Sequence, residues 1–176
     1  MVRCHIALGS NLDEPLVQIL TASRALAEIP DSTLVALSSC YRSAPLDGMD
    51  QPWYVNRVAA LDTQLSPEAL LDALQRIERR QGRIRTVRWA SRTLDLDLLL
   101  YGDLVMESPR LRIPHPGMAT RNFVLHPLAE LVGDLILPTG QRLSELCRCC
   151  TDAGLIRIDL TAVEPAIAGP ALTHGR

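Results

Sequence analysis

The sequence predicts an α+β sandwich in which helices pack on a mainly antiparallel sheet. Strand-like and helix-like segments follow one another in the order βα, ββ, αβ, and this order is typical of that class. The length agrees, because 176 residues are enough for one domain with a proper core. We expect a single domain over residues 1–160 and a loosely ordered tail over residues 161–176.

The first half supplies one helix and three strand-like segments. Residues 3–8 form a buried strand, and residues 13–29 form a helix with one apolar stripe. Residues 33–42 and 54–63 are strands that pair across residues 43–52, a loop rich in proline, glycine and aspartate. Loops of that length often carry function.

The second half opens with a helix whose ends are well marked. Ser66 is a suitable N-cap, the helix runs to about residue 81, and Gly82 suits the C′ position. Its apolar stripe leaves Gln75 and Glu78 outside the buried face. The next helix is bent or interrupted at Pro127. After Gly82 we expect a loop at residues 83–92, a strand at 93–101 and a short β pair near 104–113. Two helices at 117–132 and 142–152 and a last strand at 155–160 follow.

Charge and hydrophobicity exclude several classes of protein. All 18 basic residues are arginine, so neither a lysine Schiff base nor a GxxxxGK[ST] phosphate loop is possible. Any phosphate would have to be bound by arginine, which suits bidentate contacts. No apolar run reaches the roughly 20 residues of a membrane span, and no export signal is visible. We therefore expect a cytoplasmic protein.

The five cysteines fit a reducing compartment, because their number is odd and no export signal accompanies them. Cys147, Cys149 and Cys150 leave two interpretations open, a metal site or packing and surface thiols. The absence of a partner CxxC or HxxxH motif favours the second.

The segment TLDLDL carries the first candidate site. Alternation along a strand places Asp95, Asp97 and Leu99 on one face. The intervening leucines up to Leu100 lie on the other. Two neighbouring carboxylates repel each other and lose hydration against an apolar backing, and magnesium with phosphate oxygens would relieve both effects. The alternative is a solvated strand face whose residues merely alternate.

Arginines crowd the segment before the two aspartates. Residues 79–92 lack any acidic side chain and contain Arg79, Arg80, Arg83, Arg85, Arg88 and Arg92. Six positive charges before two negative ones suit a polyphosphate with its metal ion. The alternatives are a solvated basic loop and a loop that binds nucleic acid.

Two further groups of side chains have open interpretations. Pro114 and Pro116 stiffen the backbone around His115, which is either a donor to phosphate or a structural histidine. Aromatic side chains in or beside polar loops either stack on a flat heterocycle or cap the edge of the core. They are Trp53, Tyr54, Trp89 and Phe123.

Together these motifs resemble a known enzyme family. The segments ALGSN (7–11), DQPWYVN (50–56), RWASRTLDLDLLLYG (88–102) and RLRIPHPGMATRNFVLHPL (110–128) are similar to 6-hydroxymethyl-7,8-dihydropterin pyrophosphokinases of folate biosynthesis. The resemblance implies a ferredoxin-like fold. It also implies Mg²⁺-dependent transfer of the β,γ-pyrophosphoryl unit of ATP to the hydroxymethyl oxygen of the pterin, with AMP as the second product.

The resemblance further assigns roles to individual residues. Two magnesium ions would bind Asp95 and Asp97. The catalytic residues would be Arg83, Arg92, Asp95 and Asp97. ATP would contact Gln75, Glu78, Arg83, Arg88, Trp89, Arg92, Arg110, His115 and Arg121. The pterin would contact Ser43, Ala44, Leu46, Tyr54, Asn56, Trp89, Asp95 and Phe123.

The chain departs from the family pattern at three positions. Family members often have proline at the position of Ala44, a small hydroxylated residue at that of Arg112, and tyrosine at that of Pro116. These departures bear on the pterin-side loop and on one nucleotide contact.

The expected partners are small molecules, ATP and a hydroxymethyl-dihydropterin, with no nucleic acid and no membrane, and the expected state is a monomer. The alternatives are a different magnesium-dependent phosphotransferase or nucleotidyltransferase, and an RNA-binding module on a ferredoxin-like sheet. The second would need exposed aromatic residues on the sheet, and no such pair is obvious.

Overall fold

A computed structural model describes residues 1–45, 50–83, 91–151 and 153–161, and in these ranges an antiparallel sheet lies between two pairs of helices. The strands are β1 (Val2–Ser10), β2 (Ser32–Leu37), β3 (Tyr41–Ser43), β4 (Tyr54–Thr63), β5 (Asp95–Tyr101), β6 (Met106–Glu107), β7 (Arg112–Ile113) and β8 (Leu155–Arg157). The helices are α1 (Pro15–Ala27), α2 (Pro67–Arg80), α3 (Asn122–Val132) and α4 (Leu143–Cys149). The predicted α+β class is confirmed.

The sheet is built around the long ladder between β1 and β4. The spatial order is β5-β1-β4-β3-β8. β2 and β3 pair with the same edge of β4, β3 near the start of β4 and β2 near its end. Every pairing in it is antiparallel. The short pair β6–β7, expected near residues 104–113, forms a separate hairpin.

Alternation along the central strands divides the interior into two cores. Ile6 and Leu8 of β1 pack beneath α1 and α2, where Leu74 is fully buried. On the opposite face, Val58 of β4 packs with Leu125 of α3 and with the first residue of α4. A sheet covered on both faces explains why its strands are more apolar than those of a half-solvated sheet.

Helix α2 follows the capping signals in the sequence. Ser66 is the N-cap, and its hydroxyl accepts a hydrogen bond from the Ala69 N–H at 3.3 Å. Gly82 has a φ of 77°, which is the left-handed conformation of a C′ glycine. These two local signals therefore located both ends of the helix.

Two predicted elements are divided where a side chain or backbone angle intervenes. The strand expected over residues 33–42 ends at Leu37, because the Ser38 hydroxyl accepts from the Val58 N–H at 2.9 Å in place of a backbone carbonyl. The helix expected over residues 117–132 is interrupted at Arg121, whose φ and ψ are −116° and 108°, and not at Pro127. A 3₁₀ turn (Met118–Thr120) precedes that break.

The predicted alternation along β5 fails after Leu98. His5 pairs with Leu100 and Ile6 pairs with Leu98, so Leu99 is an extra residue in a β-bulge. The bulge places both Leu99 and Leu100 in the core beneath α3 and α4. The prediction that Leu100 shares a face with Leu96 and Leu98 was therefore wrong.

Within the described ranges no helix is both long and apolar enough to cross a bilayer. The cytoplasmic location and the monomeric state stay predictions. Residues 162–176, which make up nearly all of the expected tail, lie outside the described residues.

Candidate active site

Both aspartates lie at the start of β5. In the ladder with β1, Asp95 is opposite Gly9 and Asp97 is opposite Ala7, so the two side chains project from the same face, as alternation predicts. Ala7 is in turn opposite Val58, which belongs to the core beneath α3. The two aspartate side chains therefore project from the face of the sheet that α3 covers, beyond the end of the core beneath α3.

Arginine guanidinium groups hold the Asp95 carboxylate from two sides. Arg83 Nη1 lies 2.5 Å from Asp95 Oδ1, and Arg92 Nη1 donates to Asp95 Oδ2. Arg83 follows the C-terminal end of α2, whereas Arg92 directly precedes the strand, so the two cations approach from different segments. The structure thus pairs Arg83 and Arg92 with Asp95, and the fourth residue predicted to be catalytic, Asp97, lies on the same strand face.

Asp97 is held in surroundings that disfavour its charge. Desolvation raises the pKa of Asp97, and the nearby charge of Asp95 raises it further, while His115, Arg121 and Arg83 act in the opposite direction. About a third of the side chain (34%) remains open to solvent. A partly open carboxylate of raised pKa is suited to bind a cation that replaces the lost hydration.

His115 stands beside Asp97. Its Nε2 lies 3.7 Å from Asp97 Oδ2, and its Nδ1 accepts from the Gly117 N–H at 3.2 Å. Because Nδ1 is an acceptor, a neutral His115 carries its proton on Nε2, the nitrogen that faces the aspartate. The backbone is fixed as well, since the His115 N–H donates to Leu99 O at 3.0 Å.

Glu78 is the buried centre of this cluster. Only 3% of its side chain is exposed, its Oε1 accepts from the Leu96 N–H at 2.9 Å, and it pairs with Arg83. The sequence-based interpretation that Glu78 lies outside the buried face of α2 was therefore wrong. Its carboxylate ties the end of α2 to β5 and orients Arg83 toward Asp95. Gln75, one turn earlier, is half-buried.

A second group of predicted residues lies on the same face, across β1 from Asp95. Gly9 is opposite both Asp95 and Asn56, so no side chain separates the two. Asn56 is buried, and its amide donates to Ser43 Oγ at 2.8 Å. Tyr54, whose pKa is raised by burial, donates its hydroxyl to Gln51 Oε1 at 2.8 Å.

The start of α3 supplies the remaining predicted residues on this side. Phe123 packs against the core beneath α3, and the Arg121 guanidinium carbon lies 6.0 Å from the centroid of its ring. Arg110 lies farther away, in an exposed ion pair with Asp72 of α2 at 2.5 Å. The structure therefore groups Arg121 and Phe123 but directs Arg110 to the outer surface of α2.

Three similarity findings bear on this site. The family model of 7,8-dihydro-6-hydroxymethylpterin-pyrophosphokinase matches residues 5–133. A 2-amino-4-hydroxy-6-hydroxymethyldihydropteridine pyrophosphokinase of Pseudomonas aeruginosa is 53% identical over 156 residues, which cover 89% of this chain and 96% of that protein. The chain belongs to this family. The equivalent protein of Haemophilus influenzae is 48% identical, over 90% of this chain and 99% of that one.

Solved structures agree on the fold. A Plasmodium falciparum HPPK-DHPS structure with pteroate superposes with a TM-score of 0.67 at 13% identity, and another with SDX-DHP superposes with a TM-score of 0.64 at 14% identity. These matches cover 84–85% of this chain and only 42–43% of the longer chains. The predicted ferredoxin-like class, the family and the enzyme class are confirmed, and the family decides for a pyrophosphokinase over an RNA-binding module.

Some residues to which the resemblance assigns a role fall in parts of the chain that the structure does not describe. Leu46, Arg88 and Trp89 lie outside the described residues, as does Arg85. Among the described residues no group of three or more histidine, cysteine, aspartate or glutamate side chains is arranged to hold a metal ion. That finding includes Cys147, Cys149 and Cys150, and it leaves Asp95 and Asp97 as a pair that would need phosphate oxygens to complete a magnesium site.

Asn11 holds the backbone of Arg92 beside the site, and the sequence motifs did not predict this contact. It is 2% exposed, its Oδ1 accepts from the Arg92 N–H at 2.8 Å, and its own N–H donates to Arg92 O at 3.2 Å. Its amide also donates to Ser91 Oγ at 3.1 Å and to Pro52 O at 3.4 Å. An asparagine directly after a strand was the available signal, but its partners lie far away in the sequence.

Trp53 lies on the opposite face of the sheet. Its ring lies 4.6 Å from the Arg42 guanidinium carbon, and both line a cavity of about 460 Å³ together with Val55 of the core beneath α1. The Trp53 ring therefore stacks with a side chain of the protein itself. Among the aromatic residues interpreted above, Tyr54 and Phe123 are the described ones on the aspartate face.

Proposed function

We propose that this chain transfers a pyrophosphoryl group from ATP to 6-hydroxymethyl-7,8-dihydropterin, a step of folate biosynthesis. The hydroxymethyl oxygen forms a bond to the β-phosphorus and loses its proton, the bond from that phosphorus to the oxygen bridging to the α-phosphate breaks, and AMP leaves. The observation that carries the proposal is the pair Asp95 and Asp97 on one strand face, with Arg83 and Arg92 directed at it. Residues 1–160 form the catalytic domain in this proposal, and residues 161–176 a tail.

Two magnesium ions are the cofactors in this proposal, and the donor set fits them. Magnesium prefers carboxylate and phosphate oxygens, and it would neutralise the triphosphate and polarise the attacking oxygen. Asp95 and Asp97 supply carboxylates on one face, and the raised pKa of Asp97 reflects a charge that lacks hydration. The protein is left to position the reactants and to counter their charge.

The arginines have two alternative sets of partners. Arg83 and Arg92 pair with Asp95 in the structure, and a triphosphate offers them stronger bidentate acceptors. We propose that they exchange the aspartate for phosphate oxygens when ATP binds, which leaves Asp95 to the cation. His115 Nε2 then donates to phosphate beside Asp97, and Arg121 and Gln75 complete the nucleotide side.

Glu78 takes a different role from the direct contact implied by the resemblance. Its carboxylate is buried and is occupied by Leu96 N–H and by Arg83. We assign it to positioning Arg83. Arg110, in its exposed pair with Asp72, would have to leave that pair to reach a nucleotide. Arg88 and Trp89 keep their predicted nucleotide roles.

The pterin in this proposal lies on the row formed by Asp95, Gly9 and Asn56. A flat heterocycle can rest on Gly9 because no side chain stands between its neighbours. Tyr54 and Phe123 supply rings, and Asn56 with Ser43 and the backbone at Ala44 and Leu46 supplies polar contacts. Among the described residues Asn56 donates one amide hydrogen to Ser43, which leaves its second hydrogen and its oxygen for a ligand.

Product analysis tests the proposed function. Purified protein with ATP, magnesium and 6-hydroxymethyl-7,8-dihydropterin should form AMP and pterin diphosphate in equal amounts. Asp97→Ala should abolish both products, whereas Arg142→Gln, which removes an exposed ion pair with Asp134, should change neither. Formation of ADP would overturn the proposal, as would full activity of Asp97→Ala. A fluorescence titration with the pterin separates this enzyme from another magnesium-dependent phosphotransferase.

A further inference from the structure

The C-terminal strand lies beyond the part of the chain that the family model matches, which ends at residue 133. No role follows for it from the proposed reaction. The strand and the residues just before it nevertheless contact both segments to which that reaction assigns the pterin. β8 and Gly154 contact the end of β3, and Thr151 contacts the start of α3. We call Thr151 together with residues 153–157 the C-terminal brace.

The brace holds the β3 side of the pterin pocket through backbone contacts. β8 pairs antiparallel with β3, with Leu155 opposite Ser43. Directly before β8, Gly154 O accepts from the Ala44 N–H at 3.2 Å. Gly154 has a φ of 74°, and a Cβ added to it would lie 3.3 Å from the Ala44 Cβ. Only glycine therefore fits this approach without strain.

The brace also holds the α3 side. The Asn122 side chain donates to Thr151 O at 2.8 Å. Asn122 is the first residue of α3, and Phe123 is the next. Thr151 therefore contacts the residue that precedes Phe123, and Gly154 contacts the residue that follows Ser43.

Glu130 makes a second connection between the same elements, two turns farther along α3. Its Oε2 accepts from the Ser39 N–H at 2.7 Å, and its Oε1 accepts from the Tyr41 hydroxyl. Arg157 of the brace lies 3.9 Å from the same Glu130 Oε1 and donates to Ser39 Oγ at 2.8 Å. Helix α3, strand β3 and strand β8 thus meet in one polar cluster.

This cluster lies beside the pterin row, at the end of the row that is nearest to β3. Tyr41 is opposite Asn56 in the β3–β4 ladder, and Ser43 is opposite Tyr54. Burial and the hydrogen bond to Glu130 raise the pKa of Tyr41 to about 12, so its hydroxyl remains a donor at any physiological pH. A shift of α3 relative to β3 would therefore break these contacts and move Phe123 relative to Asn56.

We propose that the C-terminal brace and the Glu130–Tyr41 pair set the separation of the two walls of the pterin pocket, and that they are positioning elements for the pterin and not for ATP. This inference rests on the proposed function. The nucleotide side is held by other contacts, those of Glu78 with Leu96 and of Asn11 with Arg92. Loss of the brace should consequently weaken the binding of one substrate only.

Three substitutions test the brace in the full-length chain. Tyr41→Phe removes one hydroxyl and keeps the ring, Asn122→Ala removes the contact to Thr151, and Gly154→Val forces the turn away from Ala44. Each should weaken binding of the pterin substrate, with both its dissociation constant and its KM rising about fivefold, the size of one ordinary hydrogen bond. The affinity for a non-hydrolysable ATP analogue with magnesium, and kcat, should change less than about twofold. Arg142→Gln is the matched surface control.

The outcomes are distinct. If all three variants bind the pterin as tightly as the wild type, the brace proposal is overturned. If pterin and ATP analogue weaken together and the Tm falls, the contacts merely stabilise the fold, and the proposal is again overturned. Selective loss of pterin binding in at least two variants with an unchanged Tm supports it. Failure of the wild type to form AMP and pterin diphosphate would instead contradict the proposed function.

Discussion

Among single residues, Asp97 shows how an active-site carboxylate is held where its charge is disfavoured. Desolvation and the neighbouring Asp95 raise its pKa above the ordinary value, and His115 at 3.7 Å compensates only in part. The folded protein therefore loses stability when Asp97 is ionised, in exchange for a cation-binding group. Gly9 contributes to the site by having no side chain, which leaves the space between Asp95 and Asn56 open.

We expect Asp97→Asn to lower turnover sharply and to raise the Tm of the protein measured without ligands. The sign follows from linkage: a carboxylate whose pKa is raised on folding destabilises the folded state above that pKa, and a neutral isostere removes the effect at pH 7. Activity should fall on the order of 10³-fold, because several kcal/mol of charge stabilisation are lost. Calorimetric scans at pH 7 measure the Tm, and a lower Tm for the variant would contradict the stated origin of the pKa shift.

We expect Gly9→Val to raise the KM for the pterin roughly tenfold, while Gly9→Ala has a smaller effect. An added Cβ would lie 3.4 Å from Asn56 Oδ1, which is ordinary contact, so alanine is accommodated. The branched side chain must project into the row between Asp95 and Asn56, and overpacking of this kind costs about 1–3 kcal/mol. Steady-state kinetics with each substrate varied in turn separate this effect from a general loss, which would raise both KM values.

At the scale of elements, the site depends on how α2 meets β5. The two elements are joined by Glu78, which accepts from Leu96 N–H and pairs with Arg83. Farther along β5, the bulge at Leu99 ends the alternation that places Asp95 and Asp97 on one face. The strand can therefore present two carboxylates at one end and bury leucines in both cores at the other.

We expect Glu78→Ala to lower the free energy of unfolding by roughly 2–3 kcal/mol, because it leaves the Leu96 N–H and Arg83 without their buried acceptor. Glu78→Gln should lose less, since its amide oxygen can still accept from Leu96. Urea denaturation followed by circular dichroism measures both. Asp72→Asn, which breaks an exposed ion pair on the same helix, is the control and should change little. A Glu78→Ala variant as stable as this control would refute the structural role.

At the scale of the whole molecule, the sheet is covered on both faces, and a histidine lies within it. His5 is 6% exposed on β1, and its Nδ1 has no hydrogen-bond partner within the described residues. Desolvation lowers the pKa of His5 to about 4, and Arg3 lowers it further while Asp62 opposes the shift. The folded state therefore favours the neutral form of His5.

We expect the free energy of unfolding of the whole protein to decrease as the pH is lowered, in part because His5 becomes protonated on unfolding. Because the folded pKa lies below the unfolded value of 6.5, the unfolded state binds more protons between about pH 4 and pH 6.5, and protonation favours unfolding there. This effect should remove roughly 2 kcal/mol of the free energy of unfolding between pH 7 and pH 5. His5→Leu should lose that part of the pH dependence, which urea denaturation at both pH values measures. An unchanged difference would contradict the assignment.

The sequence by itself determined those features that depend on neighbours in the chain. Side-chain alternation placed Asp95 and Asp97 on one face, and the Ser66 and Gly82 signals located the ends of α2. These features need only the local backbone geometry, in which each residue is separated from its partner by a few positions. The family resemblance could likewise be read from the sequence, because each motif around Arg83–Asp97 is a short contiguous segment.

Only the tertiary structure decided which distant groups meet. Asn11 binds Arg92 across 81 positions in the sequence, and Glu130 binds Tyr41 across 89. Helical periodicity left Glu78 outside the buried face, but β5 covers that side of α2 and supplies the Leu96 N–H as a partner. Such contacts are fixed by how helices and strands pack. A buried polar group needs a hydrogen-bond partner, and the packing decides which group is near enough to be one.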